Sequence, residues 1–256
     1  MPESSLHIPS RRGQCSDAEW ALRVNLAAAY RLVALFGWDD LVFTHISARL
    51  PDAHDRFLIN PYGLMFEEIT ASSLITVGAD GQKLDESPYP VNPAGFTIHS
   101  AVHEARQDVE CVMHTHSLNG VAVAAQRDGL LPLSQHSIFV LASLGYHGYE
   151  GVALNDDEKP RLVADLGNKT NLMLRNHGLL TVGKTVADAF TAMYFFEASC
   201  TIQVRAQAGR ELLPIDQRII DGALAQARQS TGGGAGALVW PGLLRRLQRQ
   251  SPGFDS

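Results

Sequence analysis

A three-layer α/β/α domain with a central mixed, largely antiparallel sheet is the fold class that this sequence predicts. Three observations carry it. Short apolar or alternating runs, such as 42–48, 57–60 and 109–113, read as strands. They are interspersed irregularly with helical stretches that open on capping residues. The turn sequence Gly78-Ala79-Asp80-Gly81 lies between two further strand-like runs, as in a hairpin.

The elements follow in order. Ser16-Asp17-Ala18-Glu19 is a capping box for a helix to about Phe36, and Gly37 is a natural stop. Runs 42–48 and 57–60 read as strands, followed by the turn Pro61-Tyr62-Gly63. Runs 74–77 and 82–84 form the hairpin. Pro93 opens a helix through about Arg106, and the apolar strand 109–113 leads into His114. Ser117 caps a short helix to about Ala125. Segments 137–141 and 171–182 read as further strands, separated by a helix near 158–166. Thr185-Val186-Ala187-Asp188 opens a long helix that carries Val186, Ala189, Phe190, Met193, Glu197, Cys200 and Val204 along one side, a pattern of core packing. Gly232, Gly233 and Gly234 read as a hinge. Beyond it, 237–249 mixes Leu238, Trp240, Leu243, Leu244 and Leu247 with Arg245, Arg246 and Arg249, and Pro241 limits any helix to the part after Trp240. Such a helix suits a membrane surface, a partner, or packing on its own assembly; the short basic cluster in a net acidic chain favours packing. The expected organisation is an N-terminal extension (1–15), one domain (16–210) and a C-terminal extension with hinge and terminal helix (211–256).

Composition narrows the function. A length of 256 residues suits one domain with a sizeable core. A formal charge of −6 argues against a general nucleic-acid surface. Cys15, Cys111 and Cys200 have neither disulfide-framework nor zinc-finger spacing, which suits a reducing compartment. No run approaches the ~18 apolar residues of a membrane span, and the first thirteen residues lack a signal peptide's apolar stretch. A cytoplasmic protein without membrane or nucleic-acid partners is expected.

The chemistry concentrates in His114-Thr115-His116 at the end of strand 109–113, with Arg175-Asn176-His177-Gly178 downstream. Alternation along a strand puts His114 and His116 on one face, where two imidazoles can chelate a cation. A third histidine from a neighbouring strand would complete a facial triad with an open position, suited to zinc, iron, manganese or cobalt. Taken alone, the pair is equally an ordinary polar strand end. Cys111, out of phase with His114, should point away as a buried thiol.

The segments 99–117, 171–183 and 37–49, together with Leu130-Leu131-Pro132-Leu133-Ser134-Gln135 and Tyr146-His147-Gly148-Tyr149-Glu150-Gly151, resemble the class II aldolase/adducin family in order and spacing over about 16–210. The last two are especially similar to the adducin head and its bacterial relatives. The resemblance implies that family's fold, His114, His116 and His177 as ligands of a divalent metal (zinc first, with manganese, iron(II) or cobalt(II) as alternatives), a small-molecule substrate, and a homotetramer with its site at a subunit interface. It gives His99 a supporting role.

The departures are informative. The family's sugar-phosphate aldolases carry Ser-Ser-Glu where this chain has Pro93-Ala94-Gly95, so their acid/base is replaced by a residue with no side chain. Their phosphate-cradling Gly-Asn corresponds to Thr44-His45. Loss of these donors disfavours a phosphorylated substrate. The catalytic group is thus unassigned, with His45 and His147 as candidates; His45 equally suits a structural role. The leading expectation is a metal-dependent carbon–carbon lyase, an aldolase or decarboxylase, for a small unphosphorylated oxo or hydroxy acid. The alternatives are an iron oxygenase on the same three histidines and a non-enzymatic, adducin-like actin-binding or assembly protein.

Overall fold

A computed structural model describes residues 8–151, 156–209, 211–232 and 234–256. Residues 1–7 of the expected N-terminal extension and Gly233 of the expected hinge lie outside this set. The chain runs α1 (Asp17–Phe36), β1 (His45–Leu50), β2 (Ala53–Ile59), β3 (Ile75–Gly78), α2 (Pro93–Ala105), β4 (Cys111–Thr115), α3 (Leu118–Ala124) and α4 (Gln135–Leu141). It continues through β5 (Leu144–His147), α5 (Lys159–Leu166), β6 (Asn171–Leu174), β7 (Gly178–Gly183), α6 (Val186–Gln207), α7 (Gln217–Thr231) and α8 (Ala235–Gln250).

The strands form one sheet in the order β3-β2-β1-β4-β7-β6-β5. All pairings are antiparallel except that of β5 with β6, which are joined through α5. On one face, α1, α6 and α8 bury Leu26, Tyr30, Phe190, Met193, Phe196, Trp240 and Leu247 against Ile46, Cys111, Met113 and Leu179. On the other, α2 and α5 bury Ile98, Val102, Leu162 and Leu166 against Val112, Leu172, Leu180 and Val182. This is the expected three-layer architecture. Strand alternation decides what each layer sees: Cys111, Met113 and Thr115 of β4 face α6, whereas Val112 and His114 face α2.

The helix boundaries follow the capping chemistry. Ser16 Oγ accepts from Glu19 N at 3.2 Å, and Gly37 closes α1 with a left-handed φ of 70°. Glu19 does not reach back to complete a box; it accepts from Arg23 Nε at 2.7 Å.

Several expectations need correction: 171–182 is two strands, β6 and β7, broken by a turn, and 82–84 meets β3 only through a bridge between Val77 and Lys83. Residues 137–141 are helical, because Ser134 and Ser137 cap each other reciprocally, each backbone N–H donating to the other's Oγ at 3.1 Å. The strand there is β5, which begins three residues later. The terminal helix also begins at Ala235 and runs through Pro241. The missing N–H costs one backbone bond, and tertiary packing offsets it. Trp240 stacks edge-on against Phe190 (5.7 Å between centroids) and donates from Nε1 to Asn25 Oδ1 at 2.7 Å. The helix therefore packs on its own chain. The segment after it closes onto the loop before β3, with Ala71 N donating to Phe254 O at 2.9 Å and Arg31 Nη1 donating to Pro252 O at 2.5 Å.

Candidate metal centre

Each histidine of the cluster is placed by a local device. His114 is the penultimate residue of β4, in the middle of the sheet, and pairs in register with His45 of β1 on one side and Leu180 of β7 on the other. His116 lies one pleat further on, just past the strand end. His177 stands in the tight turn between β6 and β7. Asn176 takes a left-handed φ of 56° in that turn, a conformation its short polar side chain tolerates. Gly178 then lets β7 approach β4 closely, since a Cβ there would lie 2.3 Å from the carbonyl oxygen of Thr115. The Arg-Asn-His-Gly sequence thus turns the chain and presses His177 against the end of β4.

The result is a cluster in which one nitrogen from each of His114, His116 and His177 lies within 4.8 Å of the others. Hydrogen bonds fix two of the tautomers. His114 Nδ1–H donates to the Leu179 carbonyl at 2.9 Å, and His116 Nδ1–H donates to Asp40 Oδ2 at 2.9 Å. Both rings therefore present the Nε2 lone pair, and these two atoms are 2.9 Å apart. Facing lone pairs repel, while two ligands of a tetrahedral ion at ~2.0–2.1 Å stand roughly 3.3 Å from each other. The donor set, its spacing and its backing partners all fit a divalent ion.

Burial favours the ligating form. It holds the His114 imidazole well below its ordinary value, with the neighbouring histidines adding to the effect, and brings His177 down to about 4. Neutral imidazole is what a metal needs, so no proton has to be expelled near neutral pH.

Asp40 was not singled out from the sequence. It sits in a turn, where Phe43 N donates to Asp40 O at 2.9 Å and Leu41 takes a φ of 51°. That turn shortens the expected strand 42–48 at its start and carries the carboxylate to His116. Nothing in Trp38-Asp39-Asp40 announces which aspartate does this.

His45 lies directly beside the cluster, 5.3 Å from His114 between ring centroids. Its Nδ1 is 2.8 Å from His99 Nε2; His99 Nδ1 is 2.6 Å from Ser47 Oγ, which is 2.8 Å from His103 Nε2. His45 and Ser47 alternate on β1, and His99 and His103 stand one turn apart on α2. A buried ladder of three imidazoles and one hydroxyl therefore joins the strand to the helix. Burial lowers all three rings, His103 to about 3. Gly95 is packed onto the His45 ring: a Cβ there would fall 2.3 Å from His45 Cδ2. The His45 imidazole thus fills the space through which a side chain from position 95 would have to pass.

His147, the other candidate, is buried on β5, with Nδ1 2.8 Å from Asp165 Oδ2 and Nε2 3.1 Å from Glu158 Oε1. Both its nitrogens face carboxylates. Together with Tyr149 and Arg175 it borders the same hollow as His177. His99 is hydrogen-bonded between His45 and Ser47, and Cys111 is fully buried on the far face of β4.

Residues 24–204 match the family profile described as class II aldolase and adducin N-terminal domain. A Pseudomonas aeruginosa protein assigned provisionally to the class 2 aldolases is 60% identical over 247 residues, covering 95% of each chain. Mouse alpha-adducin is 44% identical over 193 residues, which are 74% of this chain and 26% of that protein. Among solved structures, an aldolase II superfamily protein from Pseudomonas syringae superposes with a TM-score of 0.91 at 47% identity, over 97% of this chain and 100% of that one. An L-fuculose 1-phosphate aldolase from Glaciozyma antarctica PI12 gives 0.80 at 29% identity, over 98% and 96%. The chain belongs to the class II aldolase and adducin family.

Proposed function

We propose that this protein is a metal-dependent carbon–carbon lyase, an aldolase or decarboxylase, for a small unphosphorylated oxo or hydroxy acid. The observation that carries the proposal is the convergence of three histidine nitrogens with two tautomers fixed for ligation. A divalent ion held there, zinc first, supplies a Lewis acid for a substrate carbonyl oxygen. His114, His116 and His177 bind it, and Asp40 orients His116.

His45 takes the part of the proton carrier. Its Nδ1 is engaged by His99, so Nε2 is the nitrogen left to hold or release a proton beside the cluster. The ladder behind it restricts the ring to one orientation, which is what a proton-transferring group requires. His147 is the weaker choice, because carboxylates engage both of its nitrogens. The unphosphorylated substrate is inferred from Pro93-Ala94-Gly95, which offers no side-chain hydroxyl or carboxylate.

The test is metal analysis of protein purified without chelators, then turnover assays with that ion on oxo and hydroxy acids and on L-fuculose 1-phosphate. Carbonyl or carbon dioxide release from an unphosphorylated acid, lost in His45→Gln with metal retained, is expected. Cleavage of the sugar phosphate by the unaltered protein would overturn the substrate class.

A second reading follows from the adducin match, which covers 74% of this chain. An assembly role without catalysis would show as cosedimentation with actin filaments and no turnover at any metal loading.

A further inference from the structure

Behind the histidine cluster, on the opposite side of the sheet, α6 buries a carboxylate that the reading above does not use. Glu197 is 2% exposed and lies among Met193, Phe196 and Cys200. Among the described residues no ion pair involves it. Its partners are two hydroxyls from the metal-bearing segment: Thr115 Oγ1–H donates to Oε1 at 3.0 Å, and Ser117 Oγ–H donates to Oε2 at 2.5 Å. Ser117 Oγ also accepts from Gly120 N at 3.1 Å, which caps α3.

These two partners are the residues on either side of His116. Alternation on β4 turns Thr115 towards α6 while His114 and His116 turn the other way. One carboxylate therefore grips the backbone between and beyond the two histidines, at the point where the strand ends and α3 begins. A strand end is ordinarily free to fray or twist, and His116 lies just past the last residue of β4. Burying a carboxylate costs several kcal/mol unless it is well partnered, and burial pushes this one up to about 7. An apolar side chain would fill the same space without that cost, so the carboxylate's contribution lies in what it holds.

We propose that Glu197 is a positioning residue of the metal centre, fixing the 114–117 segment so that the nitrogens of His114 and His116 stay converged. This rests on the reading of the three histidines as metal ligands. Outer partners of metal ligands are typically worth ~10–100-fold in affinity, and the grip of Glu197 acts one step further back, through the backbone.

The test is titration of the metal-free full-length protein with cobalt(II), read by affinity and by the visible absorption bands that report coordination geometry. It uses wild type, Glu197→Gln, Thr115→Val and Ser117→Ala, with the unfolding midpoint of each metal-free variant as control. Glu197→Gln is expected to weaken cobalt binding by about 10-fold and to shift the bands. Thr115→Val should act in the same direction, and combining the two should cost less than the sum, because both disturb the Thr115–Glu197 contact. Unaltered affinity and bands in Glu197→Gln would overturn the positioning role, even if its unfolding midpoint fell. Were Glu197→Gln not to fold, wild-type binding and bands in both hydroxyl variants would overturn it equally. Wild type that binds no cobalt would instead remove the metal reading itself, and this inference with it.

Discussion

His116 is the residue on which the metal reading turns, because the structure defines both ends of its ring. Nε2 faces His114 at 2.9 Å, and Nδ1 is held by Asp40 at the same distance. His116→Ala removes one of three ligands and is expected to lose most bound metal on elemental analysis; full retention would refute the ligand set. Asp40→Asn keeps the ligand but weakens its backing, and should cost roughly 10-fold in metal affinity by titration. At position 95, the aldolase glutamate cannot simply be restored. A Cβ there already meets His45 Cδ2 at 2.3 Å, so Gly95→Glu must displace His45 before its carboxylate reaches anything. The expected outcome is tighter metal binding without cleavage of L-fuculose 1-phosphate, and turnover of that substrate by the variant would sink the argument. His114 and His116 were legible as a pair because strand alternation puts them on one face, and the family resemblance joined His177 to them. Asp40 and Glu197 were not, since one reaches the site through a turn with an unusual φ and the other from a helix whose remaining positions read as core.

Among the elements, the contact of β1 with α2 has a consequence in acid. Burial holds His103 at about 3, and lowers His99 and His45 as well. A group with a depressed folded pKa contributes stability that is present above its unfolded value, near 6.5, and is lost as pH falls towards the folded one. Glu197, raised to about 7, acts oppositely: its contribution is present below the ordinary carboxyl value of 4.5 and is lost as pH rises through 7. Glu110 and Asp39, also raised by burial, act with Glu197, and the several deeply buried histidines oppose all three. The metal-free protein should therefore have a lower urea midpoint at about pH 5 than at about pH 7.5, with each group adding on the order of 1 kcal/mol per pH unit. A midpoint that rose on acidification would contradict the burial of the ladder. Element identity was mostly readable from caps and periodicity, as α1 and α6 show. It failed at 137–141, where an apolar β-branched and aromatic run hid a mutual serine cap, and at Pro241, where packing of Trp240 outweighed a lost hydrogen bond.

For the whole molecule, several large apolar side chains stand uncovered beside the histidine cluster. Leu118 is 89% exposed two residues after His116, and Leu41, Phe43 and Tyr149 are each about half exposed. Tyr149 is 6.3 Å from His177 between ring centroids. Such a rim suits a neighbouring subunit, and the family resemblance points to a homotetramer. Light scattering at micromolar concentration should return four times the 27.8 kDa chain mass, and Leu118→Glu should shift the distribution to smaller species. A stable monomer of the unaltered protein would count heavily against a site built between subunits. No helix among the described residues is long and apolar enough to cross a membrane.

The closure of the last residues onto the first helix bears on how this chain acquires its structure during synthesis. Arg31 is buried, and its Nη1 finds Pro252 O 221 positions further along. α1 also waits for α6 and α8 to cover its apolar side. At ~5–20 residues per second, a ribosome leaves that helix without these late partners for roughly ten to forty seconds. Until then its nearer partners serve it, with Tyr30 edge-on to Phe66 and Arg31 Nε donating to the Ile69 carbonyl at 2.7 Å. The last contacts on this face of the sheet form only after the segment near Pro252 has emerged.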